Sequence, residues 1–219
     1  MLVAIIIYAA VLIFALVAWY ATFAHYNRRR SRRVLQWIDA AFAGHGKVAG
    51  VRWLAPARFH AHLHLAPNGS FQQAAIDVQL LPRQMPVQWL AARLRQQPEI
   101  MTFTADLECA PGCDLEVHNH RWCGRTRRSL PGNRAAWEME RCTPFVITTK
   151  QTWQREVATM MNALSASRER DFLNIAYHRS SPHFVATASL QAIAPDGNSS
   201  GELFTILCEL AGGASASRF

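Results

Sequence analysis

No charged side chain occurs among the first twenty-seven residues, and lysine is nearly missing from the chain, present only at Lys47 and Lys150. The first absence excludes an ordinary surface helix at the N-terminus. From Leu2 to Ala24 the side chains are almost all aliphatic or aromatic, at least the ~20 residues a helix needs to cross the hydrocarbon core of a bilayer. Lipid offers backbone amides no hydrogen-bond partners, so such a segment crosses as a helix. Five arginines follow in Arg28-Arg29-Arg30-Ser31-Arg32-Arg33, and they hold their end of the span in the cytoplasm. A cleaved secretory signal has the reverse order, with charge first and a small-residue cleavage site after the apolar run.

Signature motifs are also missing. There is no Walker A loop, no G-x-S-x-G elbow, no G-x-G-x-x-G turn and no H-E-x-x-H helix. Ser, His and Asp occur, but no sequence context sets a nucleophile against a base. Cysteine is scarce and odd in number, five in all. That argues against a disulfide framework, and a cytoplasmic location keeps thiols reduced. The cysteines read instead as small buried apolar residues.

What is present begins with the span. The sequence predicts an uncleaved transmembrane helix over 1–27, N-terminus outside, with Trp19, Tyr20, Tyr26, Arg28, Arg29, Arg30, Arg32 and Arg33 at the membrane interface. A basic juxtamembrane and amphipathic extension occupies 28–46. In it Val34, Leu35, Ile38, Ala41 and Phe42 recur at three- and four-residue spacing, and Gly44 and Gly46 end the helix. A cytoplasmic α+β domain follows over 47–211, and a flexible tail over 212–219.

The net charge of +8 is concentrated in two places. Five of the excess charges are the juxtamembrane arginines. Arg121, Arg125, Arg127, Arg128 and Arg134 form a second patch with no acid among them, and outside the two patches the domain is close to neutral. Such an arginine loop is a possible anion-binding surface for acidic lipid headgroups, or less readily for nucleic acid, since no DNA- or RNA-binding signature accompanies it. Its plainer reading is a solvated loop.

Three hairpins are expected. Phe59, Ala61, Leu63 and Leu65 alternate with His60, His62 and His64, and Asn68-Gly69 is a strong two-residue turn signal. Matching the apolar faces puts Phe59 opposite Val78, Ala61 opposite Ile76, Leu63 opposite Ala74 and His60 opposite Asp77. A second hairpin sets Leu107 opposite Leu115 and Ala105 opposite Val117 around Ala110-Pro111-Gly112. In a third, Leu173, Ile175 and Tyr177 oppose Ala188, Ala186 and Phe184, with His178 facing His183. Residues Glu202 to Leu210 read as a strand. Two helices interleave: one from Pro86 through Val87, Leu90, Ala91 and Leu94, and one from about Lys150 carrying Trp153, Val157, Met161 and Leu164. The fold expected is α+β, an antiparallel sheet of about three hairpins with two helices packed on one face.

Two patterns bear on chemistry. The string Cys109, Cys113, His118, His120, Cys123 spells zinc ligands, but in the expected hairpin Cys109 and Cys113 face the core while His118 and His120 face away. The second is the set of histidines on polar strand faces. His60, His62, His64, His118 and His120, beside Asp77, Asp106 and Glu116, form a candidate transition-metal or acid–base surface. Its plainer reading is that alternating strands need polar residues outside. By elimination, the leading function is a non-enzymatic accessory module at the cytoplasmic face of a membrane, with the bilayer and an unidentified protein as partners. The rival is a membrane-tethered metal-dependent or histidine-based enzyme or sensor. Absence of a motif excludes no enzyme.

Overall fold

The N-terminal apolar run and the stripe beyond the arginines belong to one helix, α1 (Leu2–Phe42), which passes through Arg28 to Arg33 without a break. No proline interrupts it, and Gly44 ends it in the left-handed region at φ +93°, a conformation that costs glycine nothing sterically. The Ala43 and His45 amides donate to the carbonyls of Ala40 and Phe42 in this last turn. Gly46 follows for a different reason. A Cβ there would stand 2.5 Å from the His64 carbonyl.

The computed structural model describes residues 1–66, 71–111, 114–119, 137–142, 145–150, 172–193 and 200–215. Beyond α1 these form the strands β1 (Gly46–Ala55), β2 (Arg58–Leu65) and β3 (Phe71–Gln79), then α2 (Pro86–Leu94), β4 (Ile100–Leu107) and β5 (Leu115–Asn119). They continue through β6 (Trp137–Cys142), β7 (Phe145–Lys150), β8 (Phe172–Tyr177), β9 (Phe184–Ser189), the single turn α3 (Leu190–Ile193) and α4 (Ser200–Ser215). The strands make one antiparallel sheet in the order β1-β2-β3-β4-β9-β8-β5-β7-β6. The class is α+β.

The first expected hairpin forms in the expected register: Phe59 pairs with Val78, Ala61 with Ile76, Leu63 with Ala74 and His60 with Asp77. The third forms as well, with Ile175 opposite Ala186 and Tyr177 opposite Phe184. A register shift between Phe172 and Asn174 removes the Leu173–Ala188 pair. Just beyond the paired strands, the His178 amide donates to the His183 carbonyl over 2.9 Å.

The second hairpin does not form. β4 pairs with β3 on one edge and β9 on the other, while β5 pairs with β8 and β7. The β8–β9 hairpin is inserted between the two strands expected to be neighbours. Alternation still placed the apolar side chains, since Met101, Phe103, Ala105, Leu107, Leu115 and Val117 are all buried, but Glu116, expected on the open polar face, is buried as well. A period of two says which way a side chain points and nothing about which strand lies alongside. With that hairpin gone, so is the argument from it about the cysteine–histidine string. Cys109 lies beyond the end of β4 and is exposed, not buried as expected.

The helices depart further. Glu202 to Leu210 is helical, within α4, and not a strand. Among its described side chains Leu203, Phe204, Leu207, Leu210 and Ala211 are buried, at the spacing of one helical face. The β-favouring Phe-Thr-Ile composition obscured that period. α4 extends to Ser215, inside the stretch expected to be tail. Lys150, about where a second helix was expected to start, ends β7, and the rest of that expected helix lies outside the described residues.

The core sits between the sheet and two helices, the C-terminal part of α1 and α4. Ile38, Ala41 and Phe42 enter it from α1, as their spacing predicted. Phe42 stacks on Phe103 with centroids 6.1 Å apart and meets Phe204 edge-on at 5.4 Å. Tyr177, also buried, donates its hydroxyl to the Leu210 carbonyl over 2.8 Å, so its one polar atom is satisfied. The strand β1 escaped the sequence reading because register shifts after Val48 and after Trp53 break its alternation, and because most of its residues are exposed.

Candidate functional site

A row of paired residues crosses one end of the sheet: Ala55 with Arg58, Arg58 with Gln79, Gln79 with Ile100, and Ile100 with Ser189. From this end the chain reaches the middle of α1 at three places. Ser31 Oγ donates to the Pro56 carbonyl, between β1 and β2, over 3.5 Å. Asn27 Nδ2 donates to the Leu81 carbonyl at 3.1 Å and to Gln84 Oε1 at 2.7 Å, in the segment between β3 and α2. Arg30 reaches Glu99, just before β4. Asn27 and Ser31 are fully buried. They form a polar stripe of α1 whose hydrogen-bonding groups require partners, and the segments at this end of the sheet, a collar around the middle of α1, supply them.

Glu99 is the centre of that collar. Its side chain is 1% exposed, and its carboxylate lies 2.7 Å from Arg30 Nη2 on one side and 2.7 Å from Arg83 Nη1 on the other. Arg83 Nη1 also contacts Asn27 Oδ1 at 3.4 Å, and the Leu81 amide donates to Glu99 Oε1 at 3.4 Å. A buried carboxylate between two guanidiniums is held by charge-assisted hydrogen bonds. Arg30, expected at the membrane interface, is therefore turned toward the protein. Sequence reasoning missed Glu99, since nothing in its neighbourhood of the chain names a partner 69 positions away.

Further along α1, toward its N-terminus, the collar becomes aromatic. Trp19 Nε1 donates to the Arg83 carbonyl over 3.1 Å. Its ring lies 4.5 Å from Phe23 and 6.1 Å from Trp89 of α2. The Arg83 guanidinium stands over the Tyr26 ring at 5.4 Å. Beyond this point α1 is a free apolar arm, and the window of it long and apolar enough to cross a membrane is unburied. Tyr20 and Tyr26 are exposed. On the other side of α1, Arg28 and Arg32 stand one helical turn apart. With Trp53, Leu54, Ala55 and Pro56 they line an open cleft of about 450 Å³. Arg29 and Arg33 are exposed.

The histidines are dispersed. His60 and His62 meet edge-on with ring centroids 4.7 Å apart. His60, beside Arg58 and Asp77, lines a shallow depression of about 300 Å³, but Asp77 is engaged by Arg58 in a two-pronged pair at 2.7 and 3.2 Å. That hydrogen bond, and then the charge of Asp77, raise the Arg58 pKa above its already high ordinary value. His64 is exposed at the opposite end of β2, in register with Lys47. His118 lies in β5 opposite Asn174 and Val146. Five strand spacings separate β5 from β2, roughly 24 Å at the usual spacing, too far for one ion to bridge. His120 and Arg121, Arg125, Arg127, Arg128 and Arg134 lie outside the described residues, as do Cys113 and Cys123. His183 Nδ1 accepts from the Leu107 amide at 3.3 Å and stands 3.7 Å from Asp106 Oδ1. Among the described residues no group of three or more His, Cys, Asp or Glu side chains is placed to hold a metal ion.

No protein-family model matches this sequence, and none of the curated proteins compared with it is similar to it.

Proposed function

We propose that this protein is a membrane-anchored accessory module. The apolar arm of α1 spans the bilayer, the arginines keep its C-terminal end in the cytoplasm, and the α+β domain is presented there to a protein partner. The observation that carries this reading is the continuity of α1 from an exposed apolar arm to Phe42 in the domain core. A tether needs only a linker. A helix whose far end is built into the core, and whose middle is clamped at Asn27, Arg30 and Ser31, fixes the domain's height and orientation above the membrane. In the cleft beside α1, Arg28 and Arg32 suit the phosphate of an anionic lipid headgroup, each arginine near the surface contributing about 1 kcal/mol.

Two measurements on cells test the reading. After alkaline carbonate washing, the chain is expected to remain with the membrane pellet. An impermeant maleimide is expected to label the exposed Cys109 only after the cells are opened. Release into the wash would remove the anchor, and labelling in intact cells would reverse the orientation.

A second reading follows from His60 and His62. Edge-on imidazoles 4.7 Å apart offer two ligands to a transition metal, with further ligands from solvent or a partner. Zinc or nickel binding by the full chain, measured calorimetrically and lost in His60→Ala/His62→Ala, supports it. Identical isotherms for the two proteins dismiss it.

A further inference from the structure

The helix α2 has its apolar face on the outside. Val87, Leu90, Ala91 and Leu94 recur at helical spacing and share one face about 100° wide. Val87 is 80% exposed, Leu90 52% and Leu94 77%, and Met85, at the cap, is 45% exposed. The opposite face is the one that packs, through buried Ala92 and through Trp89 against Trp19. Core packing therefore does not explain the stripe, and the sequence expectation that α2 covers the sheet is overturned. Within α2 Arg93 lies over the Trp89 ring at 5.6 Å, and Arg95 is exposed just past its end.

Its position along α1 says what faces that stripe. The Arg83 carbonyl that precedes α2 accepts from Trp19, and Trp89 lies beside Trp19. Leu2 to Trp19 is seventeen helical steps, about 26 Å, against a hydrocarbon core of about 30 Å. A helix packed at Trp19 is thus level with the boundary between acyl chains and headgroups. An exposed face at that level meets lipid, which a large apolar patch prefers to water.

We infer that α2 is an interfacial helix, its Met85, Val87, Leu90 and Leu94 face buried in the cytoplasmic leaflet beside the span, with the bilayer lipid as its partner. This rests on the membrane-anchor reading of α1. An amphipathic helix lying in the interface buries its apolar face about 5–10 Å into the headgroup and acyl boundary, and the exposed Arg93 and Arg95 suit the phosphate layer. The domain is then attached at two places, by a span and by a surface helix joined to it through Trp19 and Arg83.

Photocrosslinking on the full chain in vesicles of phosphatidylcholine and phosphatidylglycerol (3:1) tests this. Benzoylphenylalanine is incorporated singly at positions 13, 87, 94 and 64, each an exposed side chain, so the fold is undisturbed. Position 90 replaces 87 or 94 if either variant fails to accumulate. The expected result is lipid adducts at 13, 87 and 94 in comparable yield, with at least ten-fold less at 64. Adducts at 13 but not at 87 or 94 overturn the interfacial helix and leave the anchor standing. No lipid adduct at 13 removes the anchor and the interfacial helix together. Crosslinks from 87 or 94 to a second copy of the chain, in place of lipid, overturn the proposal in favour of a protein interface.

Discussion

Arg30 Nη2 and Arg83 Nη1 each lie 2.7 Å from the carboxylate of Glu99, whose side chain is 1% exposed. One acid thus ties α1 to the two ends of the segment that carries α2. Glu99→Gln keeps the shape and removes the charge, leaving two guanidiniums close together. Breaking a fully buried pair costs about 3–5 kcal/mol. Arg30 retains 38% exposure, so water recovers part of that, and a loss of about 2 kcal/mol is expected. Thermal unfolding in detergent should show a midpoint lower by roughly 4–8 °C. An unchanged midpoint would mean that the collar does not hold the helix.

Core and exposed apolar residues should separate cleanly. Phe42 is fully buried between Phe103 and Phe204, and Phe42→Ala is expected to cost about 3–5 kcal/mol. Val87, at 80% exposure, should tolerate alanine within about 0.5 kcal/mol in the same detergent. Denaturant unfolding of both variants makes the comparison.

The end of α2 carries a residue in an unfavourable conformation. Gln96 has φ +48°, and the Gln96 and Gln97 amides donate to the carbonyls of Arg93 and Ala92, the pairing of a Schellman cap. Glycine is the usual residue at that position. Gln96→Gly is expected to stabilise by about 0.5–1 kcal/mol, since relief of left-handed strain exceeds the added chain entropy. A lower unfolding midpoint for the variant would contradict the assignment of strain.

The two described free thiols should differ in reactivity. Cys109 is exposed. Burial, and then the charge of Glu209, push the Cys208 thiol above its ordinary value. The thiolate is the nucleophile, so Cys208 should react with maleimide at least about ten-fold more slowly than Cys109 at pH 7.5 and need a higher pH to catch up. The sign for stability follows. The folded state holds the Cys208 proton more tightly, so its contribution is intact below the unfolded thiol's value near ~8.5 and is lost as pH rises toward the folded one. Cys208→Ala should flatten the fall in stability on the alkaline side.

The Arg58–Asp77 pair is half-exposed on the arginine side. Asp77→Asn is expected to cost no more than about 1 kcal/mol, and less in high salt. A larger, salt-independent loss would mark the depression beside His60 as a structural centre.

Local pattern carried much of this. The alternation in Arg58 to Leu65 and the Asn68-Gly69 turn were enough for the β2–β3 register, because neighbours joined by a tight turn have little choice of partner. The stripe from Val34 to Phe42 marked the side of α1 that docks, because helical period and burial are read from the same residues. What the sequence by itself determined was the apolar arm with its arginine boundary, and which apolar side chains face inward along β2, β3 and β4. Only the tertiary structure decided which strands are neighbours, because alternation carries no information about partners and the β8–β9 hairpin enters between β4 and β5. It separated His118 from the histidines of β2, turned Arg30 to Glu99, and set α2 beside Trp19 with its apolar face outward. Each of these is a contact between residues tens of positions apart, and its energy depends on a geometry that no local pattern encodes.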